Sequence, residues 1–371
     1  MIGSALVLAL ATVLGSTQLK TAAESVPTVE LGVTKRTKIR LNATGVLLGL
    51  PVQCDGEGRI LGRPMGTAAQ GDAVLVEASG KEPVAFSVSR INDVEEPRFG
   101  RFFIGGNRVY LLVSGTENGQ RKQATIRAPD GSVSVAAETL GRQRQYIAQF
   151  DLDGNYLRSV KLDLPFRVTQ IAAFDDGTFV AAGFDEERHA ATTALLDSSG
   201  QFLHSVEMES DVRMEDGWLK ERADTAGVSP EVAFERAVMA SEFIPDGNSI
   251  LLFRRRQPVP VFAVQRTAQA TARRLGLPEG WLALTLKSGK DGWLVSATKQ
   301  ASDGAGQDLT LFLVSRTDGS VIRRYKYPPT VGVGLACFDN EVMTFVRRDP
   351  INGFELVELA PELKGSPAEA R

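Results

Sequence analysis

The feature that most constrains this 371-residue chain is a recurring unit: an apolar strand, a turn containing Gly or Asn, and a second apolar strand. Copies stand at residues 52–63 (VQCDGEGRILGR), 101–113 (RFFIGGNRVYLLV) and 170–184 (QIAAFDDGTFVAAGF), and again at 241–254 (SEFIPDGNSILLFR), 284–297 (LTLKSGKDGWLVSA) and 334–347 (GLACFDNEVMTFVR). Between them lies a second kind of hairpin, at 74–88, 146–162, 193–208 and 311–327, with a degenerate copy at 262–277. Two hairpins per unit make a four-stranded antiparallel sheet. Helical periodicity is nearly absent.

A tandem array of such sheets at a spacing of roughly 40–70 residues is the signature of a propeller. The expected fold is therefore all-β, a six-bladed β-propeller of four-stranded antiparallel blades. The sixth unit is short of a strand: residues 354–359 (FELVEL) supply a third, and the chain then runs into a Pro-, Gly- and Ala-rich tail at 362–371. Residues 35–42 (KRTKIRLN) read as an unpartnered strand before the first hairpin, so the last blade is expected to be closed by this N-terminal strand. Closure of that kind removes open sheet edges, which invite unwanted pairing. One propeller domain then spans 35–361, with insertions at 114–145 and 209–240. Length alone does not decide the domain count, since all-β barrels, sandwiches and propellers often run past the average domain size as a single unit.

The alternation of FDDGTFV-type inner hairpins with LLDSSGQFLHSV-type outer hairpins resembles the six-bladed propellers of the NHL and TolB-like group, which includes many uncharacterised bacterial exported proteins. The resemblance covers residues 35–361. It implies a fold and says little of function, because the matching positions are turn and core residues that the architecture itself requires. It also brings a precedent for metal binding, since lactonase and esterase propellers hold a metal with carboxylates and amides along the central channel. Glu242, Asp175 and Asp339 are the carboxylates here that could be asked to do the same, although Asp at an inner-strand turn has a sufficient backbone reason.

Hydrophobic residues at 43% and charged residues at 23% are ordinary for a globular chain with a sizeable core. A net charge of -3 offers no basic footprint for nucleic acid. At the N-terminus, residues 5–14 form a short apolar run followed by small residues (Thr21, Ala22, Ala23), a pattern similar to a secretory signal peptide. The run is too short to span a bilayer, and no Lys or Arg precedes Lys20. Residues 1–25 are thus read as a signal peptide or N-terminal extension, and the protein as periplasmic or secreted, without stable membrane insertion.

Few residues suggest catalysis. The chain has two histidines: His204 falls within an outer strand and His189 in a charged loop (DEERHA), so a Ser-His-Asp triad or a His-bound zinc has little to build on. Asp151, Asp153 and Asn155 (DLDGN) have the alternating oxygens of a calcium loop but lack the distant bidentate Glu, and a hairpin turn accounts for them. No catalytic residue, cofactor or resident metal is assigned; a divalent cation in the channel is the alternative. Cys54 and Cys337 sit at equivalent places before the turns of the first and last repeats, which are neighbours in a closed ring. They are either a disulfide across the closure or two separate buried thiols.

Strand counting places second-to-third-strand connections and blade-to-blade connections on one face. Both insertions belong there, the second with a helix at 229–239 (Ser N-cap, Pro in the first turn) preceded by Trp218. Asp185, Arg254, Arg255, Arg347 and Arg348 follow second strands and are expected on the same face. Loops on a rigid scaffold concentrate binding residues, and Arg suits carboxylate, phosphate or acidic glycan. The expected function is a non-catalytic binding or scaffolding propeller whose partner is a protein, glycan or small anionic ligand. The alternative is a metal-dependent hydrolase or lactonase with its site in the channel.

Overall fold

The computed structural model describes residues 26–39, 47–65, 71–127, 133–209, 211–255, 257, 260–300, 307–332, 334–349 and 353–362. Residues 1–25, expected to be a signal peptide or N-terminal extension, and residues 363–371 lie outside the described residues, as do 40–42 of the expected N-terminal strand and Arg256 of the Arg run.

Strand β1 (Thr28–Ile39) opens the chain. Four-stranded antiparallel sheets follow, each in sequence order. The first contains β2 (Leu47–Cys54), β3 (Arg59–Met65), β4 (Ala73–Glu77) and β5 (Val84–Phe86), and the second β6 (Glu95–Gly105), β7 (Arg108–Arg127), β8 (Val133–Phe150) and β9 (Tyr156–Leu162). The third contains β10 (Arg167–Ala173), β11 (Phe179–Asp185), β12 (Ala190–Leu196) and β13 (Phe202–Ser205). Two helices, α1 (Gly217–Ala226) and α2 (Pro230–Met239), lead to the fourth, made of β14 (Ser241–Asp246), β15 (Ser249–Arg254), β16 (Val261–Val264) and β17 (Thr271–Arg273). The remaining strands are β18 (Leu282–Gly289), β19 (Gly292–Gln300), β20 (Gln307–Val314), β21 (Val321–Lys326), β22 (Leu335–Asp339), β23 (Val342–Asp349) and β24 (Gly353–Pro361). With β1 they form one eight-stranded sheet in the order β18-β19-β20-β21-β1-β24-β23-β22.

β1 is the joint of that sheet. It runs antiparallel to β24 from Leu31 opposite Pro361 to Ile39 opposite Phe354, and Lys35 faces Glu358. Its first three residues, Thr28 to Glu30, pair in parallel with Arg324 to Lys326 of β21. The N-terminal strand therefore begins seven residues earlier than its sequence pattern suggests, at Thr28 instead of Lys35. Residues 28–34 (TVELGVT) in fact alternate, with Val29, Leu31 and Val33 at every second position, so the earlier start agrees with the period of a strand.

The first strands of the four-stranded sheets and the two end strands of the eight-stranded sheet pack side by side: β2 on β6, β6 on β10, β10 on β14, β14 on β18, β18 on β22, and β22 back on β2. This ring of first strands surrounds a central axis. Between sheets lie apolar layers, such as Leu61, Leu75 and Phe86 against Ile104, Leu111 and Phe150, and Val52 and Val76 against Ile39, Phe354 and Leu356. Central strands are covered on both faces, so they read as continuous apolar runs: every residue of β11 except Asp185 is buried. Hairpin turns need tight backbones. Gly200 has φ +83°, and a Cβ there would lie 2.7 Å from the Lys161 carbonyl of the neighbouring sheet.

The insertion at 114–145 is an extension of the β7–β8 hairpin, with pairing that continues to Arg127 opposite Val133. The insertion at 209–240 holds two helices where the sequence pattern shows one. α2 has the expected cap, the Ser229 hydroxyl accepting from the Val232 amide at 3.4 Å. α1 (GWLKERADTA) lacks a strong apolar stripe, burying only Leu219 and Ala223, and this is why periodicity misses it. The helices pack through Leu219, Phe234 and Val238 on Phe184 of β11. No helix among the described residues is long and apolar enough to cross a membrane.

The close packing has a measurable alkaline signature. All five tyrosines hold their protons more tightly than the free phenol. Burial and the hydrogen bond to Asp93 push Tyr156 up to about 12, and burial alone pushes Tyr327 up to about 12. Unfolded tyrosine ionises near pH 10. Between about pH 10 and 12 the native state thus binds more protons than the unfolded chain, and stability falls as pH rises through that window. Tyrosinate absorbance is expected to stay low in the native protein beyond pH 10 and to appear when denaturant is added at the same pH.

Candidate ligand-binding site

The axis is the place to build from, because each first strand turns alternate side chains toward it. Four of these strands place a buried polar side chain at the channel cavities: Gln53 on β2, Gln170 on β10, Glu242 on β14 and Lys287 on β18. Two of them tie the ring together. Gln53 Oε1 accepts from the Ile104 amide at 3.1 Å and Gln53 Nε2 donates to the Phe243 carbonyl at 3.4 Å, while Lys287 Nζ donates to the Val52 carbonyl at 2.6 Å. Burial pulls the Lys287 ammonium below the ordinary lysine range, Glu242 opposing this and Arg255 adding to it.

Gln53 and Glu242 line cavities on both sides of this waist. The cavity toward the turn face is about 250 Å³ and also touches Lys287, Arg316 and Asp339. The one toward the opposite face is about 200 Å³, with charged residues Arg63, Arg101 and Glu242, the amide of Gln170, and apolar walls from Leu50, Met65, Phe99 and Phe102. Arg63 lies over the Phe99 ring with 5.2 Å to its centroid. Arg255 Nη2 stands 3.5 Å from Glu242 Oε2, and Glu242 Oε1 is buried without a hydrogen-bond partner among the described residues. Burial lowers the Arg101 pKa, as do the like charges of Arg255 and Arg63, while Glu242 raises it.

Gly100 and Arg101 also line a wider cavity of about 620 Å³. Its walls are Ser114, Gln143, Arg144 and Gln145 at the base of the β7–β8 hairpin, together with Met239 at the end of α2. Hairpin and helices thus flank one cavity beside the channel mouth. Its cations are largely neutralised: Arg144 pairs with Glu117 and Asp163, and Arg167 with Glu186 and Glu235.

The residues expected to form an anion-binding rim are not brought together. Arg254 is fully buried; its Nη2 donates to Asp211 Oδ2 at 2.7 Å and its Nε lies 2.6 Å from Asp211 Oδ1. It ends β15, a strand covered on both sides, so its side chain turns into the structure and fixes the chain ahead of α1. Arg255, one residue on, points to the waist instead. Arg347 reaches across its own sheet to Glu355 at 3.0 Å, which Arg36 of β1 also contacts at 2.7 Å. Arg348 is exposed. The Asp185 carboxylate caps its own turn, accepting from the amides of Glu187 and Arg188, and Trp218 packs among the helices with its Nε1 donating to Asp216 at 3.2 Å. His189 sits exposed in a turn at φ +49° and His204 pairs opposite Leu195 in an outer strand. Asp151 accepts from the amides of Asp153 and Asn155, which makes DLDGN a hairpin turn.

Among the described residues, no group of three or more His, Cys, Asp or Glu is placed to hold a metal ion. The channel carboxylates do not fit one either. Glu242 has Arg255 on one oxygen and Lys287 beside it, Asp339 belongs to the turn-side cavity, and Asp175 to another cavity near Arg266. Cys54 and Cys337 are bonded, with Sγ–Sγ 2.04 Å and Cα–Cα 5.4 Å.

Arg63, Arg101, Gln170 and Lys287 escape a motif reading because they come from different repeats with no fixed spacing. Gln170 and Lys287 stand as polar residues within first strands, a weak signal, and Arg63 on the second strand β3 carries none.

No protein-family model and no curated protein matches the chain. Solved structures resemble it at low identity. An endosialidase of phage phi92 is 8% identical over 91% of this chain and 70% of that one, with a TM-score of 0.42. YCF48 bound to D1 peptide is 10% identical over 91% and 98%, with a TM-score of 0.40. A protein of unknown function from Bacteroides caccae is 13% identical over 77% and 82%, with a TM-score of 0.37. The strand pairing itself shows what this chain is: an all-β propeller fold of four-stranded antiparallel sheets around a common axis.

Proposed function

We propose that this is an exported six-bladed propeller of the NHL and TolB-like kind that binds a partner without catalysis, through the face carrying the β7–β8 hairpin and the two helices. The count of six follows from dividing the eight-stranded sheet at the short parallel contact of β1 with β21, which leaves β18–β21 as one blade and β22–β24 with β1 as another. The Cys54–Cys337 bond suits an oxidising, periplasmic or secreted setting. One observation carries the functional reading: the channel mouth on the insertion face adjoins a cavity walled by both insertions, and the mouth itself is lined by Arg63 and Arg101 against one carboxylate, Glu242. A metal-dependent hydrolase needs the reverse, carboxylates gathered about a cation.

The test is the divalent-metal content of the purified protein together with its hydrolysis of simple lactones and esters, with and without added calcium or zinc. Sub-stoichiometric metal and no turnover above background are expected. A tightly held stoichiometric ion with metal-dependent turnover would overturn the reading in favour of the hydrolase.

A further inference from the structure

The axial cavity on the insertion face is lined by two guanidiniums and one carboxylate, and that carboxylate is already contacted by Arg255. We propose that this cavity binds a small organic carboxylate with an apolar body, its oxygens on Arg63 and Arg101 and beside the Gln170 amide, its body against Phe99, Phe102 and Met65. The inference rests on the binding reading above and names the ligand class.

Three observations converge on it. Arg101 is half-buried beside the like charges of Arg255 and Arg63, with Glu242 as the one carboxylate lining this cavity, and an anion placed between Arg63 and Arg101 offsets that repulsion. Arg63 is held over Phe99, which presents its planar fork in a fixed orientation suited to a two-oxygen acceptor. Gln170, with 4% exposure, lines the cavity with its Nε2 unpartnered among the described residues, a donor that an oxygen of the ligand would satisfy.

The apolar half of the site separates an organic carboxylate from a bare oxyanion. Leu50 and Met65, 54% and 50% exposed, are two of the nine large apolar side chains exposed among the described residues, and both stand at this cavity. Phe99 and Phe102 are stacked with centroids 6.3 Å apart and add an aromatic wall. Phosphate would leave these surfaces wet. The volume of about 200 Å³ is small beside a drug-sized pocket and admits a ligand on the scale of benzoate.

Calorimetric titration of the full chain with sodium benzoate, sodium acetate and inorganic phosphate at constant ionic strength tests this. Benzoate is expected to bind about tenfold more tightly than acetate, through burial of its ring, and more tightly than phosphate. Arg63→Gln and Arg101→Gln are each expected to weaken benzoate about tenfold. Glu242→Gln is expected to tighten it about tenfold by removing the competing negative charge, a gain that a purely structural role of these residues does not produce. Arg63 is exposed, so its variant remains informative if the Arg101 variant loses its fold. Benzoate no tighter than acetate, phosphate tighter than benzoate, or an Arg63 variant that binds like the wild type would each overturn the site. Failure here leaves the binding reading standing, whereas stoichiometric metal with hydrolysis defeats that reading whatever benzoate does.

Discussion

Arg254→Ala is expected to cost about 3–5 kcal/mol of folding stability, the range seen when one partner of a buried ion pair is removed. Arg254 is 0% exposed and its pair Asp211 has a side chain only 12% exposed, so truncation leaves a largely desolvated carboxylate without its cation. Asp211 also precedes α1, and its Oδ1 accepts from the Val212 amide at 2.7 Å, so the effect reaches the entry of the helical insertion. Urea unfolding measures it, with Arg348→Ala as the control: Arg348 is exposed, and surface substitutions of this kind stay within about 0.5 kcal/mol. The double variant Arg254→Met with Asp211→Leu is expected to lose less than Arg254→Ala alone, because no unpaired charge remains. Equal behaviour of Arg254→Ala and Arg348→Ala would return Arg254 to the solvated rim that its Arg-run sequence suggests.

Replacing Cys54 and Cys337 together by Ser is expected to cost about 3–5 kcal/mol. The two residues are 283 apart in sequence, so the bond closes most of the chain into a loop and removes a large share of the unfolded state's freedom. It joins β2 to β22, the first strands that meet where the ring closes, and β1 on β24 seals the same closure by backbone hydrogen bonds. The two devices act on different states. Strand pairing stabilises the folded ring, whereas the disulfide acts chiefly by restricting the unfolded chain. Denaturation with and without reductant reads the same quantity, and a difference below about 1 kcal/mol would show that the bond adds little to the paired strands.

Much of the fold is legible because a propeller repeats its own grammar. Turns such as DDG at 175–177 and SSG at 198–200 require a left-handed residue, and Gly177 and Gly200 supply it at φ +85° and +83°. The N-terminal strand is legible by subtraction, since the last repeat lacks one strand. α1 is not, because its sequence is polar nearly all round and its burial comes from tertiary contact. Arg254 and Arg255 are misread for a general reason: a charge run is assumed to be solvated as a block, yet successive residues at a strand end point in opposite directions. One arginine enters the packed interior and its neighbour the channel. The site is the least legible part, because Arg63, Arg101, Gln170 and Glu242 lie on β3, β6, β10 and β14, and only closure of the ring makes them neighbours.

A crystal structure of the protein grown with benzoate, calcium and zinc all present tests the central claim most directly, because one map holds both readings of the channel. The expected result is a carboxylate between Arg63 and Arg101, beside Gln170, with its ring against Phe99. A divalent cation coordinated by Glu242, with the arginines turned away, would contradict it.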